Sequence, residues 1–396
     1  MIESSFQCEV LSPLFMGGAD ARGAPPELRS PSIRGAMRYW YRALLGGSTI
    51  LNDHELLSKL HSKESELFGS TDRGGALSTR LSQAAQLPYE SYQKDPALKG
   101  TGGSFLPTGK DYLLWSMGST GGRPGAPRYQ PSRQYIKPGA TFKFILSAQL
   151  QPDTIDKGNA AFWLLSNLGS IGSRANRGAG SIQAVAESSP RLLFNTSSSI
   201  KELQDYLRDG IQKCLKIVTG EDWGTLPENQ QAEFDTIHPQ TCNVWVVADG
   251  PNGWDTYLAA LNGLGSRFRD YRTHQNPLGR SDHDAVLKWF ENGGKGPVIK
   301  RPVFGLPIPF RYSNGGPSDV IIHEKGDRRG SPLHMRITKL ANGKYVGVLT
   351  LFKSRFLPEH TDLKLQERKW KAPVPSDYSI AAKFIDTFPV KEQVGL

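Results

Sequence analysis

The stretch LGSIGSRANRGAGSI, residues 168–182, joins a helix-like segment to a strand-like one and contains four glycines, two arginines and no acidic residue. Glycine adopts backbone conformations closed to other residues and adds no side chain. Such a loop can cradle a phosphate, clamp a nucleic acid or form a structural turn. A mononucleotide phosphate loop ends in Gly-Lys-Ser/Thr and opens a helix. This stretch has no lysine and leads into a strand, so that particular cradle is excluded.

Both halves of the chain share one outline of strands and helices. Residues 2–11 and 141–150 alternate apolar and polar side chains, which predicts strands. In the second half, residues 241–249 predict another opening strand, and a helix ending in arginines follows it. We therefore predict an α+β protein of two domains with related architecture. The first spans residues 1–190, and residues 191–396 form a helical connector followed by the second domain.

Outside the opening strands, the local patterns predict helix ends, an insert and further strands. The apolar spacing in residues 33–47 predicts a basic helix that Ser32 caps and that ends at Gly46–Gly47. Residues 69–138, rich in Gly, Pro, Ser and Arg, predict an irregular insert. Asp282 is the expected cap of a later helix. Late strands are expected at RPVFGLPIPF, SDVIIHEK, LHMRITKL and YVGVLTLF.

The charge balance favours a polyanionic partner. Lys and Arg total 48 against 38 Asp and Glu, for a formal net charge of +10, and such a surplus attracts nucleic acid or an anionic surface. No apolar run approaches the roughly 18 residues of a membrane helix. The N-terminus lacks the features of a signal peptide, and the 3 cysteines are widely spaced. We expect a soluble cytoplasmic protein without membrane contact.

Enzyme signatures are scarce. The sequence lacks the dinucleotide glycine pattern and the Cys-x-x-Cys, His-x-x-x-His and His-Glu-x-x-His spacings. We therefore expect no metal, no cofactor and no catalytic residue. Asp20 could hold a metal or assist attack by a 2′-hydroxyl, although a turn aspartate that bonds its own backbone is the commoner case. Metal-free RNA cleavage needs only an acid–base pair, and 8 histidines and 13 tyrosines leave it open.

Arginines beside glycines form the candidate nucleic-acid-binding set. Glycines let a phosphate chain approach the backbone closely, and arginine forks donate to phosphate oxygens. Arg34, Arg38 and Arg42 repeat every four residues along one helical stripe, for which a solvated face or ion pairs are the alternatives. The remaining candidates are Gly17, Gly18, Arg22, Gly172, Arg174, Arg177, Gly178, Arg328, Arg329 and Arg336.

Two N-terminal motifs carry a family resemblance. SPLFMGGAD, residues 12–20, and PSIRGAMRYWYR, residues 31–42, resemble the opening of the first subunit of type III-B CRISPR RAMP-module (Cmr) effector complexes, within the RAMP superfamily. The stretch at 168–182 resembles the glycine-rich loop of RAMP proteins. LFGSTDRGG, RPVFGLPIPF and GDRRGSPLHMRITKL resemble further family segments, so the likeness extends over nearly the whole chain.

This resemblance implies two ferredoxin-like (RRM-like) domains with loop-rich insertions. It also implies a non-catalytic, cofactor-free subunit for antiviral defence, in contact with guide RNA near its 3′ end, target RNA and other RAMP subunits. Gly172 and Gly178 would leave room while Arg174 and Arg177 grip phosphates. Two alternatives stay open: a metal-independent endoribonuclease of the RAMP superfamily acting on guide RNA precursor, and a scaffold whose basic surfaces meet acidic partner subunits.

Overall fold

The computed structural model contains sixteen strands and eight α-helices among the residues it describes. The described residues are 1–18, 20–48, 54–84, 86–99, 105–149, 152–187, 190–223, 232–273, 278–294, 296–310, 319–326, 328–367, 370–375 and 377–396. The strands are β1 (Ile2–Val10), β2 (Leu77–Ser82), β3 (Tyr89–Ser91), β4 (Leu98–Lys99), β5 (Phe105–Leu106), β6 (Gln134–Ile136), β7 (Thr141–Ala148), β8 (Ile182–Ala186), β9 (Cys242–Ala248), β10 (Ile308–Phe310), β11 (Asp319–His323), β12 (Leu333–Lys339), β13 (Tyr345–Phe352), β14 (Leu363–Leu365), β15 (Lys371–Ala372) and β16 (Val390–Val394). The helices are α1 (Ser30–Ser48), α2 (His54–Phe68), α3 (Gly109–Leu113), α4 (Pro152–Leu168), α5 (Ile200–Thr219), α6 (Tyr257–Thr273), α7 (Gly279–Asn292) and α8 (Ser379–Ile385).

The N-terminal half forms an antiparallel sheet in the order β2–β7–β1–β8. Alternation along β1 buries Phe6, Cys8 and Val10 on one face. The ring of Phe162 on α4 lies 4.9 Å from Phe6 and 4.6 Å from Phe144 of β7. Burying one such side chain stabilises the fold by about 1.5–3 kcal/mol. Helices of this half therefore cover the apolar face that the strand pattern predicts.

The C-terminal half repeats this topology in a second antiparallel sheet, β12–β13–β9–β16. In both halves, helix follows the first strand of the sheet (β1 or β9). The next strand of the sheet (β2 or β12) lies at its edge and pairs with the strand that comes after it (β7 or β13). A further helix then leads to the last strand, which pairs with the first. This is the β-α-β-β-α-β arrangement of a ferredoxin-like fold. The predicted fold class, α+β with two ferredoxin-like units, is confirmed.

Helix α5 lies between the two units in sequence and contacts both of them. It packs on α1 and α4 of the first half and on β9 and β16 of the second. Its apolar face, including Leu207 and Ile211, is fully buried, as expected for an amphipathic helix covered on one side. The boundary between residues 190 and 191 stays a prediction, because α5 contacts both sides of it.

A third sheet, β10–β11–β14–β15, differs from the expected arrangement. The strand patterns at RPVFGLPIPF and SDVIIHEK were expected within the second domain's strand set. Instead, residues 308–310 and 319–323 pair with each other and with β14, outside the ferredoxin-like order. Alternation predicts a strand but does not specify its partner, which is why the separate sheet escaped prediction.

The predicted helix ends need correction at three positions. Ser32 lies inside α1, which begins at Ser30, and the helix continues through Gly46–Gly47 to Ser48. A Cβ on Gly47 would lie 1.8 Å from the carbonyl oxygen of Ile237. This glycine therefore permits close packing and does not end the helix. Asp282 lies inside α7 and accepts hydrogen bonds from the N–H groups of Lys300 and Arg301, at 2.8 and 2.6 Å.

The expectation of an irregular insert at 69–138 needs correction, because this segment contains β2, the edge strand of the first sheet, and further short elements, of which α3 packs on the C-terminal half. Strands β3 and β6 pair with each other, as do β4 and β5. Helix α3 packs directly on α6, where the N–H of Lys110 donates to Oδ1 of Asn262 at 2.8 Å. A Cβ on Gly109 would lie 2.1 Å from the carbonyl oxygen of Asn262. The two helix backbones therefore touch.

Arg336 of β12 ties the two halves together. Its guanidinium donates to the carbonyl oxygens of Gly169 at 3.1 Å and Ile182 at 2.8 Å, and also to that of Ser166. Two of these carbonyls lie at the C-terminal end of α4, where a cation is favourable. The residue is 1% exposed, and burial lowers its pKa to about 9. Among the described helices, none is long and apolar enough to cross a membrane.

Candidate functional site

The glycine-rich loop packs against β12 instead of projecting into solvent. It contains a 3₁₀ turn at Ala175–Arg177, and the N–H of Gly178 donates to the carbonyl oxygen of Met335 at 2.9 Å. Arg174 adopts φ +63°, a left-handed conformation that is uncommon for a residue with a side chain. The loop therefore holds its arginines in a defined and locally strained backbone.

Glycines of this loop make room for the protein's own chain. Gly172 has φ +84°, and a Cβ there would lie 2.6 Å from the carbonyl oxygen of Phe15. A Cβ on Gly178, at φ +81°, would lie 2.8 Å from Leu261 of α6. The expectation that Gly172 and Gly178 clear a path for RNA therefore needs correction, since protein atoms fill that space.

A cationic cavity opens beside this loop, between the two halves of the chain. Its volume is about 910 Å³, and no acidic residue is among the described residues that line it. Two Gly/Arg-rich segments contribute to its wall, residues 172–177 and residues 328–331. We call this cavity the arginine cleft, after the arginines that line it: Arg174, Arg177, Arg272, Arg301, Arg328 and Arg329.

Aromatic rings support the innermost cations of the cleft. The Arg177 guanidinium lies 4.6 Å from the centre of the Phe268 ring, and that of Arg272 lies 5.2 Å from the same ring. Cation–π attraction stabilises such pairs by about 0.5–2 kcal/mol, more when they are desolvated. Arg177 also donates to the carbonyl oxygen of Phe304 at 2.8 Å, and Arg272 to the Tyr112 hydroxyl at 3.1 Å.

Three buried N–H donors of the cleft lack an acceptor. Nε of Arg174, Nη1 of Arg177 and Nε of Arg272 have no hydrogen-bond partner among the described residues. Burial, with the neighbouring charges of Arg272 and Arg174, lowers the pKa of Arg177 to about 9. Burial and Arg272 also lower the pKa of Arg174. Because unmet buried donors are costly, these groups favour an anionic occupant.

The two C-terminal candidates differ in how firmly they are held. Arg328 is exposed at the cleft. Arg329 donates from Nε to the carbonyl oxygen of Phe356 at 2.8 Å, and its Nη2 lies 3.5 Å from Oδ1 of Asp235. The structure thus brings Arg174, Arg177, Arg328 and Arg329 of the predicted set into one site.

The helical stripe on α1 is held largely by ion pairs. Arg38 and Arg42 both donate to Oε1 of Glu64 on α2, the second at 2.8 Å. The Glu64 side chain is only 6% exposed, so this carboxylate fastens α2 to α1. Arg34 is half-buried on the same helix. The interpretation of the stripe as an RNA-binding face therefore needs correction for Arg38 and Arg42.

Arg22 and Arg336 also act within the protein. Arg22 donates to the carbonyl oxygens of Ser116 at 3.0 Å and Gly118 at 3.2 Å, which secures the insert. Arg336 is buried between the halves, as described above, so neither guanidinium is free to grip a phosphate chain. We call these two residues, with Arg38 and Arg42, the anchored arginines.

The glycines of the N-terminal loop lie apart from the cleft lining. A Cβ on Gly17 would lie 3.4 Å from Cα of Ala21, an ordinary contact. A Cβ on Gly18 would lie 3.2 Å from a Glu27 carboxylate oxygen, and a carboxylate so close disfavours a phosphate. Their role in RNA binding stays a prediction. Asp20 accepts hydrogen bonds from the N–H groups of Arg22 and Gly23. It therefore bonds its own backbone in a turn, which was the commoner alternative to metal binding.

Sequence reasoning missed Arg272, Arg301 and the aromatic wall of the cleft. The arginine-rich end of the α6 helix was visible in the sequence, but nothing there linked it to residues 174–177. Among the described residues, no group of three or more His, Cys, Asp and Glu could hold a metal ion.

Comparisons with known proteins agree with this architecture. A family model described as the RAMP superfamily matches residues 7–183. The Cmr subunit Cmr1-1 of a Pyrococcus furiosus CRISPR system is 28% identical over 344 residues, 84% of this chain and 83% of the relative. The subunit Cmr1-2 of the same organism is 31% identical over 185 residues, 46% of this chain and 95% of the relative. The crystal structure of apo Cmr1 from P. furiosus superposes with a TM-score of 0.58 and 21% identity, covering 100% of this chain and 99% of that one.

Proposed function

The chain belongs to the Cmr1 family of the RAMP superfamily, and from this premise we propose that it is a non-catalytic RNA-binding subunit of a type III-B CRISPR effector complex. In that role it contacts other RAMP subunits and holds the guide RNA near its 3′ end together with target RNA. Both Pyrococcus furiosus relatives are named as Cmr subunits of a CRISPR system, which supports assembly into such a complex.

The arginine cleft is the observation that carries the proposal. Six arginines line it without a carboxylate, and three of them keep a buried N–H without an acceptor among the described residues. Phosphate oxygens are strong acceptors for such donors. Contacts of this kind position RNA without reading its bases, which suits a subunit whose specificity comes from guide pairing.

Both halves of the chain contribute to this site. Arg174 and Arg177 belong to the N-terminal half, and Arg272, Arg301 and Arg328 to the C-terminal half. An RNA strand in the cleft would therefore contact both ferredoxin-like units at once. Its negative charge would offset the mutual repulsion of arginines that burial brings together.

The test is RNA binding by a doubly substituted cleft. We expect R174A/R328A to weaken binding of a labelled single-stranded guide RNA about ten- to a hundredfold, because two charge-assisted contacts of ~1.5–3 kcal/mol each are lost in part. The slope of log K against log salt should flatten by roughly 1.4, or 0.7 for each lost contact. Two RNAs of unrelated sequence should lose affinity equally. Equilibrium titrations over a salt series measure all three.

A matched control removes the same charge elsewhere. The exposed residues Arg80 and Arg191 pair with Glu3 and Asp156, away from the cleft, so R80A/R191A should leave the slope nearly unchanged. Equal losses in both double variants would mean that net charge alone attracts RNA. Unchanged RNA binding with lost binding to a partner subunit would favour the scaffold hypothesis.

One contact supplies a candidate acid–base pair with which the endoribonuclease alternative can be tested. His334 of β12 stacks on Tyr39 of α1 with ring centres 5.6 Å apart, and both line a cavity of about 430 Å³ that shares Arg329 with the cleft. Burial lowers the pKa of His334 to about 4 and raises that of Tyr39 well above its usual value. Neither value lies near neutral pH, where proton transfer is efficient. Discrete fragments of repeat RNA in EDTA that disappear in H334Q would establish the alternative.

A further inference from the structure

One aromatic residue at the cleft is unusually exposed. Trp115 begins a 3₁₀ turn, Trp115–Met117, directly after α3, and it lines the arginine cleft. It is 61% exposed, although a side chain of this size normally buries most of its surface. Single exposed apolar side chains are common on protein surfaces, but this indole lies in the lining of the cationic cleft.

The backbone that carries Trp115 is firmly held. Its neighbours Leu114 and Met117 are buried, and Arg22 donates to the carbonyl oxygens of Ser116 and Gly118. These contacts fix the turn from both sides. The ring is therefore exposed on a turn whose backbone is held in place. It does not need to move to meet a ligand.

A lysine supports the ring. Nζ of Lys94 lies 4.6 Å from the centre of the Trp115 ring, within the range of a cation–π contact. The lysine stem lies against Gly118, where a Cβ would approach its Cε to 2.2 Å. An aromatic surface of the cleft lining and one extra cation beside it are thus held together.

We propose that Trp115 is a stacking platform for an unpaired base of the RNA whose backbone lies in the arginine cleft. The cleft then takes RNA in single-stranded form at this point, because a base within a duplex has no free face to offer. Every base has a π face, so stacking tolerates any sequence. Lys94 meets a phosphate beside the stacked nucleotide. This inference rests on the proposed RNA-binding function.

The test compares single-stranded with double-stranded RNA. The probes are fluorescein-labelled 12-nucleotide oligouridine and oligoadenosine, and the duplex formed from both, each titrated with the full-length chain. We expect W115A to weaken binding of both single strands about tenfold and to leave duplex binding unchanged. W115F should restore most of the affinity, since it keeps an aromatic face. The control L193A removes an apolar side chain that is 60% exposed outside the cleft lining, and it should change nothing.

The outcomes separate this inference from the proposed function. If R174A/R328A weakens binding but W115A does not, or if W115A weakens duplex and single strands equally, stacking is overturned while RNA binding stands. If the unmodified chain binds none of the three probes at low salt, both are overturned. Fluorescence gives an independent readout that does not depend on affinity. Saturating oligouridine should quench the intrinsic emission of the unmodified chain more than that of W115F, and equal quenching would contradict stacking.

Discussion

The anchored arginines and the arginines of the cleft look alike in the sequence and differ in what surrounds them. The anchored group donates to protein acceptors, either the shared carboxylate of Glu64 or backbone carbonyls. In the cleft, no acidic residue is among the described lining residues, and Arg174, Arg177 and Arg272 each keep a buried donor without an acceptor there. Nε of Arg336 also lacks an acceptor, but both of its terminal nitrogens donate to backbone carbonyls. Arg329 is the cleft arginine that most resembles the anchored group, because it contacts Asp235 and the Phe356 carbonyl. The comparison teaches that the acceptors within reach, more than glycine neighbours or helical spacing, separate a folding arginine from a binding one.

The largest effect is expected where an anchored arginine is removed. R336M deprives the carbonyls of Ser166, Gly169 and Ile182 of their donor. We expect a loss of about 4 kcal/mol in the free energy of unfolding, since each unmet buried group costs ~1–3 kcal/mol. Urea unfolding measures it.

The cleft provides the matched control for that substitution. R328M removes an exposed cleft arginine and should change stability by less than about 0.5 kcal/mol while it weakens RNA binding. If R336M were as stable as the unmodified chain, or if R328M were the less stable of the two, the division into anchored and cleft arginines would be wrong.

A smaller effect is expected in the pH dependence of the free energy of unfolding. It comes from His334, a buried side chain that is a weaker base than arginine. Burial, with Arg177 and Arg329 nearby, lowers its pKa to about 4, so the folded protein holds it neutral while the unfolded chain binds a proton near pH 6.5. The stability this provides is present above pH 6.5 and is lost as the pH falls toward 4. We expect roughly 2–3 kcal/mol of loss between pH 7 and 4.5 from this residue.

Unfolding measured at both pH values isolates that contribution. H334Q cannot titrate, so it should show a flatter dependence than the unmodified chain by the stated amount. H61Q alters an exposed histidine of α2 and should follow the unmodified chain. Identical slopes for H334Q and the unmodified chain would show that the interior does accept a charged imidazole.

The smallest effect concerns the α1 stripe. E64Q removes the carboxylate shared by Arg38 and Arg42, and we expect a loss of about 1–2 kcal/mol in stability because the pair is only partly exposed. A double-mutant cycle with R42A measures the coupling. RNA affinity should not change. If E64Q bound RNA more tightly than the unmodified chain, the stripe would be a binding face that Glu64 masks.

Local periodicity predicted much of the fold, because it depends on neighbours in sequence. The alternation in β1 and β7 and the apolar spacing of α1 each reflect one face turned to the core. The shared order of strands and helices in the two halves predicted two related units. The family resemblance supplied the ferredoxin-like topology, which spacing alone did not contain.

Contacts between distant segments explain what the sequence could not show. Glu64 lies 22 residues beyond its partner Arg42. Arg336 donates to carbonyls more than 150 residues away in sequence. Gly47 packs against the backbone of Ile237. None of these contacts produces a periodic pattern in the sequence. Arg272 was missed for the same reason, since it joins Arg174 only through the packing of α6 beside the loop.

The touching backbones of α3 and α6 bear on how RNA would enter the cleft under the proposed function. A Cβ on Gly265 would lie 1.9 Å from the carbonyl oxygen of Gly109, so the insert of the first half is seated on a helix of the second. A hinge motion that widened the cleft would have to pull these backbones apart. The contact between α3 and α6 would therefore hold the cleft at a fixed width. Under the proposed function, an RNA strand would enter from the solvent side while these two helices stay in contact.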